Sequence, residues 1–180
     1  MTSVGTSDYH YQCHSGELCH ARNKDGAKCR RYLCERFPYC YQHSRIIQGL
    51  DIMPSRIPRG GKGLFAFKSF RRNEVILEYS GKLIKNSHLI GTPHATSRYL
   101  LQVSPGPDGY TIDAASPRTS LARYANDCRA SNTRVCRGNN ARFAVTGKRG
   151  FLVADKAVEV GDEITVAYGA PYWEFFGEPH

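Results

Sequence analysis

The 180-residue sequence predicts a mostly β domain that follows a small, metal-stabilised N-terminal module. Beyond Met53 and Pro54, short β-branched or aromatic runs are separated by Gly, Pro, Asn and Asp, which is typical of strands and turns. The 17 glycines and 9 prolines, among 11 tyrosines and 8 phenylalanines, also favour strands over a helical bundle. Five of the seven cysteines, in contrast, lie before residue 44, where neither helical nor strand periodicity is visible.

The chain length suits one hydrophobic core with a small appendage, and we expect regions 1–50, 51–170 and 171–180. The expected strands are Gly63–Phe67, Glu74–Tyr79, Lys82–Ile84, Tyr99–Val103, Tyr110–Asp113, Arg142–Val145, Phe151–Ala154 and Glu163–Ala167. A helical turn is expected at Ser120–Asn126, with loops at Asn86–Ser97 and Ser104–Gly109. Strands and helices do not alternate, which argues against a doubly wound nucleotide-binding fold.

The N-terminal module contains a candidate structural zinc site. Its ligands, separated by nine, ten and two residues, are Cys19, Cys29, Cys40 and His43. Such a Cys3His set completes the tetrahedron of a closed Zn2+ site, and in a reducing compartment the clustering favours metal over disulfides. The spacing resembles a short Cys3His zinc finger of plant regulatory proteins and of small eukaryotic and viral proteins. The remaining groups could exchange with these ligands, complete a second site or bind no metal: Cys13, His14, His20 and Cys34.

Charge and hydropathy limit the partners. The net charge of +9 favours an anionic partner, and the basic stretch Arg118–Arg149 is either a nucleic-acid contact or a solvated face. From Asp155 onward the sequence has six acidic residues and one basic residue, so this region could bind a cationic substrate. No membrane span or secretion signal is visible, and we expect a soluble, intracellular chain without a membrane partner.

Cys128 and Cys136 are interpreted as core or surface thiols, because no histidine lies in a protease-like context.

Four pieces of the β domain occur together, in this order, in one protein family. They are RGGKGLFAF (59–67), EYSG (78–81), RYANDC with the later GNNARF (123–128 and 138–143), and DEITVAYG (162–169). Over about 120 residues, from Met53 to Tyr172, they resemble the SET domain of S-adenosylmethionine-dependent protein lysine methyltransferases. GGKG alone lacks the spacing of a phosphate-binding loop, and DEITVAYG alone would be a core strand, so the joint match supports the resemblance.

The resemblance implies small β-sheets around a pseudoknot-like core, in which the Asn126 segment threads beneath the loop that carries Tyr168. It implies S-adenosyl-L-methionine on one face, with a substrate lysine entering from the other. The implied catalytic residues are Tyr168, at the transfer centre, and Tyr79, which lines the lysine channel. The implied cofactor contacts are Lys62, Gly63, Leu64, Arg123, Tyr124, Asn126 and Asp127. On residue type alone, Tyr79 and Tyr168 could equally be buried core tyrosines.

The chain departs from the family pattern at two points. Asp127 stands where the family usually has His, and either Asn139 or Asn140 could match the family's second Asn, with Asn140 the better fit. The tail PYWEFFGEPH has no Cys, where a zinc motif often follows the domain, so we expect aromatic residues 171–180 to close the site. Trp173 could stack on the adenine ring or serve only in packing.

The degree of methylation depends on one channel position in this family. Val166, at the usual position, is too small to fix a water molecule, and Phe143 lies where some relatives place the switch residue. Phenylalanine cannot hold that water, which predicts di- or trimethylation, although Phe143 could also be a plain core residue.

The sequence thus predicts a lysine N-methyltransferase with a structural zinc module. We expect a basic, lysine-containing protein substrate, most simply a histone, and a role in chromatin regulation. The expected compartment is the nucleus, or the host nucleus if the chain is viral, and otherwise the cytoplasm. The alternative is a non-catalytic zinc-finger and SET-fold module that binds nucleic acid or chromatin. A metal-dependent hydrolase is excluded because the metal ligands cluster outside the β domain.

Overall fold

The computed structural model describes residues 16–33, 37–116, 118–128, 136 and 138–177. The strands are β1 (Leu50–Pro54), β2 (Lys62–Ala66), β3 (Val75–Tyr79), β4 (Lys82–Lys85), β5 (Leu100–Gln102), β6 (Tyr110–Asp113), β7 (Ala141–Thr146), β8 (Arg149–Ala154) and β9 (Glu163–Ile164). The helices are α1 (Tyr41–His43), which continues as a π-helical turn over Ser44–Gln48, and α2 (Ala170–Phe176). Single 3-10 turns lie at Asn86–His88, Pro93–Thr96 and Leu121–Tyr124.

The strands form three small antiparallel sheets, in the orders β1-β2-β9, β3-β8-β7 and β4-β6-β5. Within them, β7 and β8 form a tight hairpin in which Thr146 pairs with Arg149. Gly147, at the first turn position, has a φ of 60°, a conformation that glycine adopts without steric cost. The mostly β architecture with small sheets agrees with the sequence prediction.

One hydrophobic core lies between the sheets. Its buried side chains come from all three sheets and from the turn before Asn126, and include Leu50, Leu64, Ile112, Leu121 and Leu152. Burial in β8 follows the hydrophobic run at its end, where Leu152, Val153 and Ala154 are all buried. The sheets therefore share one core, although none of them exceeds three strands.

Two chain segments cross at the centre of this core, as the resemblance implies. Asn126 pairs with Thr165 and Ala141 pairs with Val166, both as parallel bridges. The backbone N–H of Val166 donates to the Asn126 carbonyl at 2.8 Å, and that of Ala141 donates to the Thr165 carbonyl at 2.9 Å. The crossing holds the loop that carries Tyr168 over the Asn126 segment.

The N-terminal module is attached to the β domain by a buried ion pair. Asp51 in β1 is fully buried, and its Oδ2 accepts from Arg45 Nε and Nη2, each at 2.6 Å. The Arg45 guanidinium also lies 4.1 Å from the centre of the Phe67 ring. A buried carboxylate that lost this partner would be strongly destabilising, so the pair fixes the module on β1.

The predicted strands are present, with boundaries that differ by at most three residues, and β6 has the predicted bounds. The largest difference is at β9, because residues after Ile164 leave the sheet to bridge Asn126 and Ala141. Sequence reasoning missed β1 and α2. The expectation of free thiols at Cys128 and Cys136 was wrong, because the two residues form a disulfide, with Cα atoms 5.7 Å apart.

Among the described residues, every helix is too short or too polar to span a bilayer.

A buried carboxylate in β6 organises the loop between β4 and β5. Asp113 pairs with His94 Nδ1 at 2.6 Å and accepts from Ser97 Oγ at 2.8 Å and from the Ala115 N–H at 2.9 Å. Burial raises the pKa of Asp113, but these hydrogen bonds outweigh it, and the pKa lies below its ordinary value of 3.8.

Asp113→Asn should therefore lower the free energy of unfolding at about pH 7 by roughly 1–3 kcal/mol, because a charged acceptor of several buried bonds is lost. Since the folded-state pKa is lowered, the stabilisation is complete above the unfolded value of 3.8 and is lost as the pH falls through the folded value. Urea unfolding at about pH 7 and about pH 3 measures the difference between parent and variant. Asp108→Asn, whose side chain is 89% exposed, is the neutral control. Equal losses for Asp113→Asn at both pH values would contradict the assignment.

Candidate active site and zinc site

One cavity collects residues from six stretches of the chain. Its volume is about 540 Å3, which is in the usual range of small-molecule sites. It lies between the glycine-rich loop before β2, strand β5 and the crossing at Asn126. Seven of the site residues predicted from the sequence line it: Lys62, Tyr79, Arg123, Tyr124, Asn126, Phe143 and Tyr168.

The Asn126 side chain fixes the glycine-rich loop. Its amide nitrogen donates to the carbonyls of Gly60 at 3.2 Å and Lys62 at 3.0 Å. Glu163, at the start of β9, supports the same loop by accepting from Ser55 Oγ at 2.6 Å and from the backbone N–H of Arg56 at 2.7 Å. The loop backbone is thus held at the cavity wall from both sides.

Two tyrosines line the cavity, Tyr79 buried and Tyr168 partly buried, and their hydroxyls are fixed by main-chain carbonyls. Tyr168 donates to the Ala125 carbonyl at 3.1 Å, and Tyr79 donates to the Tyr99 carbonyl at 3.0 Å. Burial raises the pKa of both phenols above the ordinary value of 10.0, although the charge of Arg123 partly opposes this at Tyr79. Both phenols therefore remain protonated at neutral and mildly alkaline pH and act as hydrogen-bond donors.

Arg123 brings a cation to the cavity wall. Its guanidinium lies 3.9 Å from the centre of the Tyr99 ring, and its Nη1 donates to the Ala115 carbonyl at 2.7 Å. Its Nε is buried and has no hydrogen-bond partner among the described residues. A buried donor without a partner is costly, so the other contacts of the Arg123 guanidinium must offset that cost.

The three cysteines and the histidine of the N-terminal module converge on one point. The Sγ atoms of Cys19, Cys29 and Cys40 and a ring nitrogen of His43 all lie within 4.8 Å of one another. Tetrahedral Zn2+ places such ligand atoms about 3.5–3.8 Å apart, so a small adjustment accommodates the ion. Burial, followed by the neighbouring Cys19 and Cys29, raises the pKa of the Cys40 thiol to about 11, and a cation would stabilise its thiolate.

Among its described residues, the module has little core beyond these ligands. Apart from the three ligand cysteines, its buried cluster contains Ala21 and Leu33, with Phe37 and Tyr39 packed against it. His20 is exposed and contacts the edge of the Phe37 ring at 5.2 Å between ring centroids. Cys13, His14 and Cys34 lie outside the described residues.

The model of the SET-domain family matches residues 61–169 of the chain. The chain belongs to the SET-domain family. It is 28% identical over 117 residues to the N-lysine methyltransferase KMT5A-A of Xenopus laevis, covering 61% of this chain and 33% of that protein. It is 30% identical over 120 residues to the histone-lysine N-methyltransferase Set8 of Drosophila melanogaster, covering 61% of this chain and 16% of that protein. The chain therefore spans a third or less of the length of these relatives.

A solved structure shares the fold of the SET domain. It is the crystal structure of an active polycomb repressive complex 2 in the basal state, with a TM-score of 0.55 and 23% identity. The match covers 81% of this chain and 17% of that chain.

Five site residues predicted from the sequence do not line the SET-domain cavity: Gly63, Leu64, Asp127, Val166 and Trp173. A side chain at Gly63 would collide with Glu163, so this glycine permits packing of the loop support and does not face the cavity. Val166 is fully buried in the core, whereas Phe143 lies at the cavity and contacts Tyr79 edge-on at 5.3 Å between ring centroids. Asp127 and Trp173 lie behind Tyr168, where they are hydrogen-bonded to each other.

Sequence reasoning missed several cavity residues: Gly60, Gly61, Arg98, Tyr99, Leu100, Leu101 and Tyr172. Gly60 and Gly61 belong to the same RGGKG stretch, and their proximity to Gly63 was the available signal. Residues 98–101 follow the loop that Asp113 holds in place, so their position depends on a residue distant in the sequence. Tyr172 is positioned by α2. No local sequence pattern therefore indicates that these residues line the cavity.

The metal site should hold about one zinc per chain in freshly purified protein. Cys29→Ser or Cys40→Ser should release it and unfold residues 16–49, because the module has little core of its own. Metal analysis and amide hydrogen exchange measure the two effects.

His20→Gln is the matched control, since His20 lies in the same module but outside the four-ligand cluster. It should retain the metal and the exchange protection. Purified parent protein without zinc, or Cys29→Ser with unchanged zinc content, would contradict the site.

Proposed function

We propose that this SET-domain protein is an S-adenosylmethionine-dependent protein lysine N-methyltransferase. The observation that carries the proposal is the cavity in which Tyr79 and Tyr168 have fixed hydroxyls beside the Asn126 amide. Methyl transfer from a sulfonium to an amine is an in-line displacement that requires alignment and exclusion of water. The described lining includes no acidic side chain, which suits a reaction that needs no carboxylate base.

The cavity wall suits the proposed cofactor. When bound, S-adenosylmethionine supplies the activated methyl group. The loop backbone at Gly60–Lys62, held by Asn126, can approach a ligand closely because it carries few side chains. Arg123, which lines the cavity, adds a positive charge that suits an anionic group of the ligand.

The chain's residues also favour the reactive form of the substrate. A free lysine has a pKa of about 10.4, so near pH 8 only about one in 250 is neutral and able to attack. Burial beside Tyr79 disfavours the ammonium form. The positive charge of Arg123 lowers the pKa of Tyr79. It would also lower the pKa of a lysine ammonium placed beside it, because like charges repel. The Tyr168 hydroxyl donates its proton to the Ala125 carbonyl, so its oxygen remains as the acceptor that orients the amine N–H and the polarised methyl group for transfer.

The proposed substrate is a lysine in a basic protein segment, most simply a histone, since two of the similar proteins are named as histone-lysine methyltransferases. A histone substrate would require action in the nucleus, or in the host nucleus if the chain is viral, and otherwise we expect the cytoplasm. A nucleic-acid contact through the basic stretch receives less support. Three of its arginines are paired with carboxylates, in the pairs Arg118–Glu17, Arg142–Asp155 and Arg149–Glu78.

We further propose di- or trimethylation. Phe143 contacts the Tyr79 ring at the cavity and has no hydroxyl with which to fix a water molecule. The space that such a water would occupy therefore stays free for an amine that already carries a methyl group.

Tyr168→Phe should lower kcat on a histone mixture by about 10²–10³-fold, because it removes one oriented hydroxyl oxygen from the transfer centre. The Kd for S-adenosylmethionine, measured by calorimetry, should change less than about threefold. Tyr110→Phe is the matched control, since Tyr110 lies outside the cavity, under Lys148. Turnover of Tyr168→Phe equal to that of the parent would contradict the role of Tyr168. No binding of S-adenosylmethionine by the parent would instead favour a non-catalytic binding module.

Phe143→Tyr should shift the final product toward monomethyl-lysine, because a hydroxyl at this position can hold the excluding water. Mass spectrometry of a peptide methylated to completion measures the product distribution. Phe151→Tyr, on the adjacent strand β8 and outside the cavity, should leave the distribution unchanged. A parent enzyme that stops at one methyl group, or an unchanged product with Phe143→Tyr, would refute the proposal.

A further inference from the structure

We propose that Asp127 is a positioning residue that holds α2 and Tyr168 against the cavity, so that a buried carboxylate closes the site in this chain. The inference rests on the proposed function, since the closed site is the methyltransferase cavity. It concerns a carboxylate that does not line that cavity and that the reaction itself does not use.

The carboxylate of Asp127 accepts N–H groups from three places in the chain. Its Oδ2 accepts from the backbone N–H of Tyr168 at 2.9 Å and from Trp173 Nε1 at 3.0 Å. Its Oδ1 accepts from Asn139 Nδ2 at 3.1 Å. Asp127 is only 3% exposed, so water cannot replace these bonds.

These bonds determine where α2 lies. Tyr168 precedes the helix and Trp173 lies within it, and both are tied to the same oxygen atom. The helix therefore turns back over Tyr168, whose ring stacks on Trp173 at 5.8 Å and contacts Tyr172 at 4.5 Å between centroids. Tyr172 in turn lines the cavity. The position of one cavity wall thus depends on Asp127.

The opposite end of α2 has a weaker attachment. The Arg98 guanidinium, from the loop before β5, lies 5.1 Å from the centre of the Phe176 ring. Arg98 also lines the cavity, so α2 bridges its two sides. Arg98 is exposed, so its contacts with the Phe176 ring and the Tyr172 hydroxyl contribute less than hydrogen bonds to a buried carboxylate, and we assign the positioning to Asp127.

Only a carboxylate meets this requirement. An ionised Asp is purely an acceptor and has two oxygens for the three N–H groups. A neutral imidazole has a single acceptor nitrogen, and an amide has a single acceptor oxygen together with a donor that would face other donors. Asp127 therefore matches the Trp173 indole, and a His at position 127 would leave at least two of these N–H groups without an acceptor.

The experiment compares Asp127→His, Asp127→Asn and Trp173→Phe with the parent. Trp173 is the only tryptophan, so intrinsic emission reports on α2 directly. Calorimetry with S-adenosylhomocysteine gives Kd, and steady-state kinetics give kcat and the KM for S-adenosylmethionine. Glu174→Gln is the control, since it makes the same carboxyl-to-amide change at an exposed position of α2.

We expect Asp127→His to shift the Trp173 emission to longer wavelength and to raise Kd and KM by about tenfold, with a smaller fall in kcat. Asp127→Asn should have the same effect at a smaller magnitude. Trp173→Phe removes a single donor and conserves an aromatic ring, so it should raise Kd by about threefold. It should stay folded, and it therefore tests the inference even if the Asp127 variants do not fold. A purely structural role would lower the amount of folded enzyme and leave KM unchanged.

Two results would overturn the inference. One is Asp127→His with unchanged emission and with equal or tighter binding of S-adenosylhomocysteine, as expected if Asp127 merely replaced a ligand-binding His. The other is Trp173→Phe with unchanged Kd and KM. Failure of the proposed function is distinguishable, because a parent that binds no S-adenosylhomocysteine would still report the attachment of α2 through Trp173 emission.

Discussion

The structure depends on the crossing at Asn126, where a polar residue joins three segments of the chain. Its carbonyl accepts the N–H of Val166, and its side-chain amide donates to the loop before β2. Asn140 completes the crossing, because its amide donates to the Glu163 carbonyl and accepts from the Thr165 N–H, both at 2.9 Å. Side-chain amides carry both a donor and an acceptor, so they can replace the backbone partners that a neighbouring strand would supply. The sheets are small because this crossing, and not a continuous ladder, connects them.

Buried carboxylates occupy three junctions between segments that are distant in the sequence. Asp51 joins the metal module to β1, Glu163 joins β9 to the glycine-rich loop, and Asp127 joins α2 to the crossing. Each is at most 8% exposed. An apolar contact would tolerate small shifts between such segments, whereas a buried carboxylate is destabilising unless its donors remain in place. These three residues therefore give the junctions a defined geometry, which the proposed alignment of two reactants in the cavity requires.

The sequence predicted those parts of the fold that are encoded locally. Three features can each be recognised within a short stretch of sequence: the strand patterns, the spacing of the zinc ligands and the Asn126 segment. The structure contains the strands, the Cys3His cluster and the crossing at Asn126. Strand β1 was missed because its second residue is Asp51, a buried carboxylate that is acceptable there only with Arg45 beside it. Helix α2 was missed because its seven residues include Pro171 and several aromatics, and its position depends on Asp127. The sequence indicated Gly63 as the cavity glycine, whereas Gly60 and Gly61 line the cavity. Side-chain positions alternate between the two faces of β2, and the position of Gly63 faces Glu163.

The metal module is connected to the cavity through two strands. Ser44, directly after the ligand His43, donates from Oγ to the Leu50 carbonyl at 2.7 Å, and Arg45 is paired with Asp51. These contacts fix the first residues of β1, which pairs along its whole length with β2, from Leu50 opposite Ala66 to Pro54 opposite Lys62. Lys62 lies at the cavity and its carbonyl accepts from Asn126. The described part of the module has little apolar core, so the order that a metal ion on the Cys3His cluster would impose would reach the glycine-rich loop through this backbone pairing, although the cluster contributes no residue to the cavity.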